Sequence, residues 1–186
     1  MVMQGEMGEI GTDGDGALPR GVERLMAFFA SCPAAPMITE HRAVFTVAEA
    51  HEVERSLAGQ NTKNLFLKDK KGGHFLLTAA ADAVVDLKRL HGVLGARGRL
   101  SFASSERLAE YLGVAPGSVT PLALVNDPDR RVRFALDRTV AMAPLVNVHP
   151  LRNTATVSMP QGELAAFFAF CGHEPLVVDL SASDGI

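Results

Sequence analysis

Two short apolar runs, Leu65–Phe66–Leu67 and Phe75–Leu76–Leu77, flank the polar turn Lys68–Gly73. This is the pattern of a β-hairpin whose loop glycines permit positive φ. Lys63 and Asn64 then fall where its first strand begins. A second hairpin is expected from Leu122–Val125 and Val132–Leu136, which surround the turn signal Asn126–Asp127–Pro128–Asp129. Met37–Phe45, Leu145–Val148, Thr154–Val157 and Leu176–Leu180 also have strand character. Strands outnumber helices and the hairpins are local. The expected fold class is therefore α/β in the α+β sense, a mixed, mostly antiparallel β-sheet or partial barrel surrounded by helices.

Helical spacing places Leu25, Phe28 and Phe29 on one stripe that Cys32 continues until Pro33 stops it. Thr46–Val47–Ala48–Glu49 is a capping box for a helix running to about Leu57, closed by Gly59. Asp82–Leu94 reads as a helix with Val84, Leu87, Leu90 and His91 along one side. Ser104 or Ser105 starts another over Glu106–Leu112, with Gly113 at its C′ position, and Ser158 opens a last one over Gln161–Phe170.

The chain has 186 residues, 47% of them hydrophobic and 21% charged, enough for one domain with a sizeable core. Residues 1–16 hold five glycines and four acids and little that can be buried, so they read as a disordered leader before a single domain over 17–182. Asp13–Gly14–Asp15–Gly16 fails as a calcium loop because Arg24 stands where a bidentate Glu is needed. The net charge of −3 argues against a general nucleic-acid binder. Removing the leader's four acids from 21 leaves 17 against 18 bases, a balance that permits a local basic patch without predicting one. No apolar run approaches a membrane span and no secretory signal is present, so a cytoplasmic protein is expected. Cys32 and Cys171 are too few and too far apart for a metal pair or a disulfide scaffold and read as reduced thiols.

Three segments carry candidate chemistry. Lys63, between Thr62 and Asn64, can hold a phosphate or carboxylate through charge-assisted hydrogen bonds, or simply be a solvated lysine. Gly117–Ser118–Val119–Thr120–Pro121 is a loop entering a strand, where the glycine allows close backbone approach and backbone amides can stabilise an oxyanion; a plain turn is the competing reading. His149, held extended by Pro150, can position water, bind a hydroxyl or act as a general base, or be hydrogen-bonded only for structure. Asn153, Thr154 and Thr156 could orient its ring or line a pocket. His51–Glu52–Val53–Glu54–Arg55 lacks the second histidine of a zinc-protease helix, and His41, His74, His91 and His173 show no ligand spacing, so no metal and no cofactor are expected.

Together, Thr62–Lys63–Asn64–Leu65–Phe66, Gly117–Ser118–Val119–Thr120–Pro121 and Val148–His149–Pro150–Leu151–Arg152–Asn153–Thr154–Ala155–Thr156 resemble the signature of the YbaK/prolyl-tRNA synthetase-associated editing domains. The likeness runs from about Arg20 to Leu180 and is greatest to the free-standing Ala-tRNA(Pro) deacylase branch, which Asn64 also matches. The resemblance implies the YbaK-type fold and an enzyme that hydrolyses the ester of mischarged Ala-tRNA(Pro). It also implies functional roles for Lys63, Gly117, Pro121 and His149, with Thr62, Asn64, Ser118, Asn153 and Thr154 contacting substrate. Its partner would be the tRNA(Pro) acceptor end carrying a small amino acid, with the protein working either free or docked on prolyl-tRNA synthetase; no exposed heptad or long apolar stripe asks for a second copy, so a monomer is expected.

A pocket shaped for proline excludes alanine poorly, since a missing methylene withholds only about 1–3 kcal/mol, so a second, smaller sieve is useful. Val44, Phe45, Leu65 and Leu77 are candidate walls or plain core. Lys68, Lys70, Lys71, Arg130, Arg131, Arg133 and Arg152 are candidate phosphate contacts or a solvated face. A deacylase for cysteine or serine, a binding module without catalysis, and a small-molecule hydrolase on the same fold remain the alternatives.

Overall fold

The structure, a computed structural model, describes residues 18–41 and 57–180. The expected leader, the capping box Thr46–Glu49 and the candidate walls Val44 and Phe45 lie outside these residues.

The elements in chain order are α1 (Val22–Ser31), β1 (Met37–Glu40), β2 (Gln60–Lys68), β3 (His74–Ala80), α2 (Leu87–Val93), β4 (Ser101–Phe102), α3 (Ser105–Leu112), a 3-10 helix (Pro121–Asn126), β5 (Val132–Asp137), α4 (Arg138–Met142), β6 (Leu145–Val148), β7 (Ala155–Pro160), α5 (Gln161–Phe170) and β8 (Leu176–Val178). Among the described residues one eight-stranded sheet runs β1-β7-β6-β2-β3-β5-β8, with β4 on β2. Four of its pairings are antiparallel; β2·β6, β3·β5 and β5·β8 are parallel. This is the mixed, mostly antiparallel sheet with helices that the sequence predicts.

The first hairpin forms as expected, with Leu65 opposite Leu77 and Lys68 opposite His74. Its strand begins at Gln60, so Lys63 and Asn64 sit inside β2 and not at its mouth. The pleat sends alternate side chains to opposite faces. Phe66 and Leu76 join the main core with α1, the 3-10 helix and α5, while Leu65, Leu67, Phe75 and Leu77 pack against Leu90, Leu94 and Leu100 on the other side.

The second expected hairpin does not form. Leu122–Val125 belong to the 3-10 helix, in which Thr120 caps the start and Pro121 takes the first turn, where its missing N–H costs nothing. Val132–Asp137 is a strand, but it pairs in parallel with β3 and β8. The helix expected from Asp82 starts only at Leu87, because Asp86 accepts the Lys88 N–H and sets the cap there, leaving Val84 exposed. Ser158 lies within β7, three residues before the helix it was expected to open. Ser104 caps α3 and Gly113 closes it at φ 66°, as expected.

Cys32 and Cys171 are unpaired, and burial pushes both thiols up to about 12, so neither is a nucleophile at neutral pH. Among the described residues no helix is long and apolar enough to cross a membrane.

Candidate active site

The parallel pairing of β2 with β6 ends at Asn61 opposite Asn147. These two side chains share a face, since Asn147 Nδ2 donates to Asn61 Oδ1 at 2.7 Å. Lys63 follows Asn61 by two residues within β2, so the pleat turns it to that face, away from the main core, while His149 lies just past the end of β6, in the connection to β7.

Asn147 is the hub beneath them. It is 3% exposed, its Nδ2 also donates to the Ala58 carbonyl at 3.1 Å, and its Oδ1 accepts from Ser158 Oγ at 2.7 Å. Thr62 Oγ1 donates to the Asn147 carbonyl at 2.8 Å. Buried amides hold position when their donors and acceptors are all paired, and this one fixes the spacing of β2, β6 and β7.

Lys63 is partly buried and its ammonium donates to the Ala83 carbonyl. Asn64 takes the opposite face from Lys63, and its Oδ1 accepts from buried Thr78 Oγ1 at 2.7 Å. Leu77 is fully buried, and Leu65 packs partly buried against the same cluster.

His149 Nδ1–H donates to the Ala155 carbonyl at 3.1 Å, which leaves Nε2 as the acceptor of the neutral ring. Burial pushes its pKa below the ordinary 6.5; the Ala155 bond opposes this and neighbouring His41 adds to it. His41 follows β1 directly. Its N–H donates to the Thr154 carbonyl at 2.9 Å and its Nε2 lies 3.0 Å from Thr156 Oγ1.

The Gly117 loop reaches the same place through one hydrogen bond. Thr120 Oγ1 donates to the His149 carbonyl at 2.7 Å and accepts the Leu122 N–H at 3.2 Å, with Thr120 fully buried. Gly117 has φ 90°, a region side chains disfavour, and a Cβ there would lie 3.7 Å from Asn153 Nδ2. Ser118 N–H closes the turn onto the Ala115 carbonyl at 3.0 Å, and Pro121 is buried as the start of the 3-10 helix.

Thr154 Oγ1 accepts from Arg152, whose guanidinium also pairs with Glu40. At 4% exposure Arg152 is an internal clamp from β1 to the β6–β7 connection, which removes it as a surface phosphate contact. Arg131 lies over the Tyr111 ring, 4.2 Å from its centroid, and approaches Glu110 at 3.5 Å, so its charge is already engaged.

The sequence motifs thus converge on the β6–β7 connection and the face beside it. Sequence reading missed Thr120, Asn147 and His41. Thr120–Pro121 carries a legible signal, a capping hydroxyl followed by proline at the first helical position. Asn147 and His41 carry none, because their partners are remote in sequence. Among the described residues no group of three His, Cys, Asp or Glu side chains is placed to hold a metal ion.

A sheet of this topology with such a polar face defines a class, and residues 41–167 match the aminoacyl-tRNA editing domain. The chain belongs to that family. It is 37% identical over 128 residues to the prolyl-tRNA editing protein ProX of Acetoanaerobium sticklandii, covering 68% of this chain and 77% of that protein. It is 38% identical over 146 residues to prolyl-tRNA synthetase associated domain-containing protein 1 of Bos taurus, covering 76% of this chain and 85% of that one. A crystal structure of a candidate trans-editing enzyme for prolyl tRNA synthetase shares the fold, with TM-score 0.65 at 24% identity over 90% of this chain and 100% of that one.

Proposed function

We propose that this protein is an aminoacyl-tRNA hydrolase acting in trans, which removes a small amino acid, alanine first, from tRNA(Pro). Family membership and the printed names of the relatives support the substrate class. One observation carries the chemistry: Thr120 Oγ1 donates to the His149 carbonyl and so joins the Gly117 loop to the connection that follows β6, the strand that pairs with the start of β2 two residues before Lys63.

In the proposed reaction the Lys63 ammonium binds the phosphate of the terminal nucleotide. Water, its proton accepted by His149 Nε2, attacks the ester carbonyl carbon. Backbone amides of the Gly117 loop stabilise the resulting oxyanion. Collapse breaks the bond between that carbon and the ribose oxygen, which takes the proton back from His149. The products are the free amino acid and tRNA with its terminal hydroxyl restored. Thr62, Ser118, Pro121, Asn153 and Thr154 shape the site around these groups, and Asn64 holds β3 through Thr78. The mischarged product of prolyl-tRNA synthetase is the source of substrate.

Lys63→Ala and His149→Ala test the assignment against Ala-tRNA(Pro). Each is expected to lower kcat/KM by about 100-fold or more, the contribution of one positioned proton-transfer or electrostatic group. Full activity in both variants would disprove this site. Binding of aminoacyl-tRNA without turnover in the wild type would identify a binding module instead.

A further inference from the structure

Six exposed cations, Lys68, Lys70, Lys71, Arg97, Arg99 and Arg133, gather at the end of β2 remote from the candidate site. The topology brings them together from three segments. Lys68 pairs across the sheet with Ser101, and Phe75 with Arg133. The Lys70 stem lies 3.5 Å from where a Cβ on Gly98 would sit, and Arg133 Nη1 donates to the Gly95 carbonyl at 3.2 Å.

The segments 68–73, 95–101 and 131–135 contain a single acid, Asp69. It is 7% exposed, and its carboxylate accepts the N–H groups of Lys71 at 2.8 Å, Gly73 at 2.9 Å and Arg97 at 2.8 Å. The N–H of Arg97, ahead of those of Gly73 and Lys71, holds that carboxyl below its usual range, so it stays ionised and turned inward. Asp69 therefore staples the hairpin turn to the 95–101 segment while the cations face outward. Among the described residues none of the six is ion-paired with a carboxylate, unlike nearby Arg107 and Arg131, which both meet Glu110.

We propose that this corner is a docking surface for the phosphate backbone of paired nucleic acid, and that it grips the acceptor stem while the aminoacyl end lies at Lys63 and His149. The second half of this inference rests on the deacylase reading. Lys68 lies five positions along β2 from Lys63, a span of about 17 Å at strand rise. That is about five nucleotides at duplex rise, the reach from a charged 3′ end back to the first base pairs. The lysines act as point charges, whereas the arginines offer planar forks; Arg133 is braced over the Phe75 ring, 5.0 Å from its centroid. The chain's net charge of −3 hides this local concentration.

The test compares the wild type with two variants, Lys70→Glu/Lys71→Glu and Arg97→Gln/Arg99→Gln. Binding of fluorescent, uncharged tRNA(Pro) is measured across a salt series. Cleavage of an alanyl-CCA trinucleotide, which has no stem, is measured alongside. Each variant is expected to bind tRNA about ten-fold or more weakly at low salt, and to flatten the log–log salt slope by about two, near one per lost phosphate contact. Trinucleotide cleavage is expected to stay at the wild-type rate. Unchanged tRNA affinity and slope in both variants would overturn the proposal, as would an equal loss of trinucleotide cleavage. If the wild type cleaves neither substrate, the deacylase reading fails and the binding series alone decides the docking surface.

Discussion

Thr120→Val removes one hydroxyl and little volume, so its effects isolate two hydrogen bonds. The His149 carbonyl loses a donor at 2.7 Å and the Leu122 N–H loses an acceptor at 3.2 Å, both at a fully buried residue. Leaving a buried polar group unpaired costs about 1–3 kcal/mol, so the pair together costs about 2–4 kcal/mol after local relaxation. For a chain of this size that corresponds to a fall in Tm of about 5–15 °C. If the bond also seats the Gly117 loop against His149, kcat for Ala-tRNA(Pro) should fall about ten-fold or more at a temperature where the variant is fully folded. Thr120→Ser retains the hydroxyl and should restore most of that loss. Leu90→Ala, in the core beneath α2, is destabilised by a similar about 2–5 kcal/mol and should keep wild-type kcat. A Thr120→Val protein that melts early but turns over normally would show that the loop needs no such attachment. One that melts normally would show that the hydrogen-bond reasoning itself is wrong.

Asn147→Ala should lower stability in urea by about 2–4 kcal/mol, since it removes the hydrogen bonds to Ser158 Oγ, to the Ala58 carbonyl and to Asn61 Oδ1; a change under about 0.5 kcal/mol would contradict the network. Gly117→Ala meets only an ordinary van der Waals contact with Asn153 Nδ2 at 3.7 Å, so its cost is the positive φ, about 1–2 kcal/mol by thermal melt, and greater loss would point to a contact not accounted for. In the proposed reaction His149 accepts the proton in its neutral form, so the deacylation rate should rise with pH through a value below 6.5 and flatten above it. His41→Gln removes a neighbouring charge and should move that limb upward, toward 6.5; an unmoved limb would mean that His41 does not reach His149. The lowered pKa values of His149 and His74 mean that the unfolded chain binds more protons, so stability is complete above about pH 6.5 and declines as pH falls below it. His74→Phe should flatten that decline, read from Tm between about pH 7 and pH 5.

What the sequence disclosed follows from the range of the interactions involved. The hairpin of β2 and β3 is local, with its turn chemistry beside its apolar runs, and both strands were legible. Leu122–Val125 misled because a continuous apolar run can be a buried strand or a buried helix, and all four residues are at most 1% exposed. The capping pair Thr120–Pro121 was the better guide there. Parallel pairings such as Gln60 with Val146 leave no local mark, since they join segments far apart in the chain. The same holds for the site: Lys63, Gly117 and His149 stood out as motifs, whereas Asn147 depends on Asn61, 86 residues away. Asp69 read as one more turn residue until its bond to Arg97 tied two loops together.

The most direct measurement is the release of amino acid from tRNA(Pro) charged separately with alanine, serine, cysteine and proline, with alanyl-tRNA(Ala) as a control. Rapid loss of alanine from tRNA(Pro), with the prolyl ester and alanyl-tRNA(Ala) left intact, is the predicted result. Preferred release of serine or cysteine would keep the hydrolase and change its substrate. No release from any of them would contradict the account.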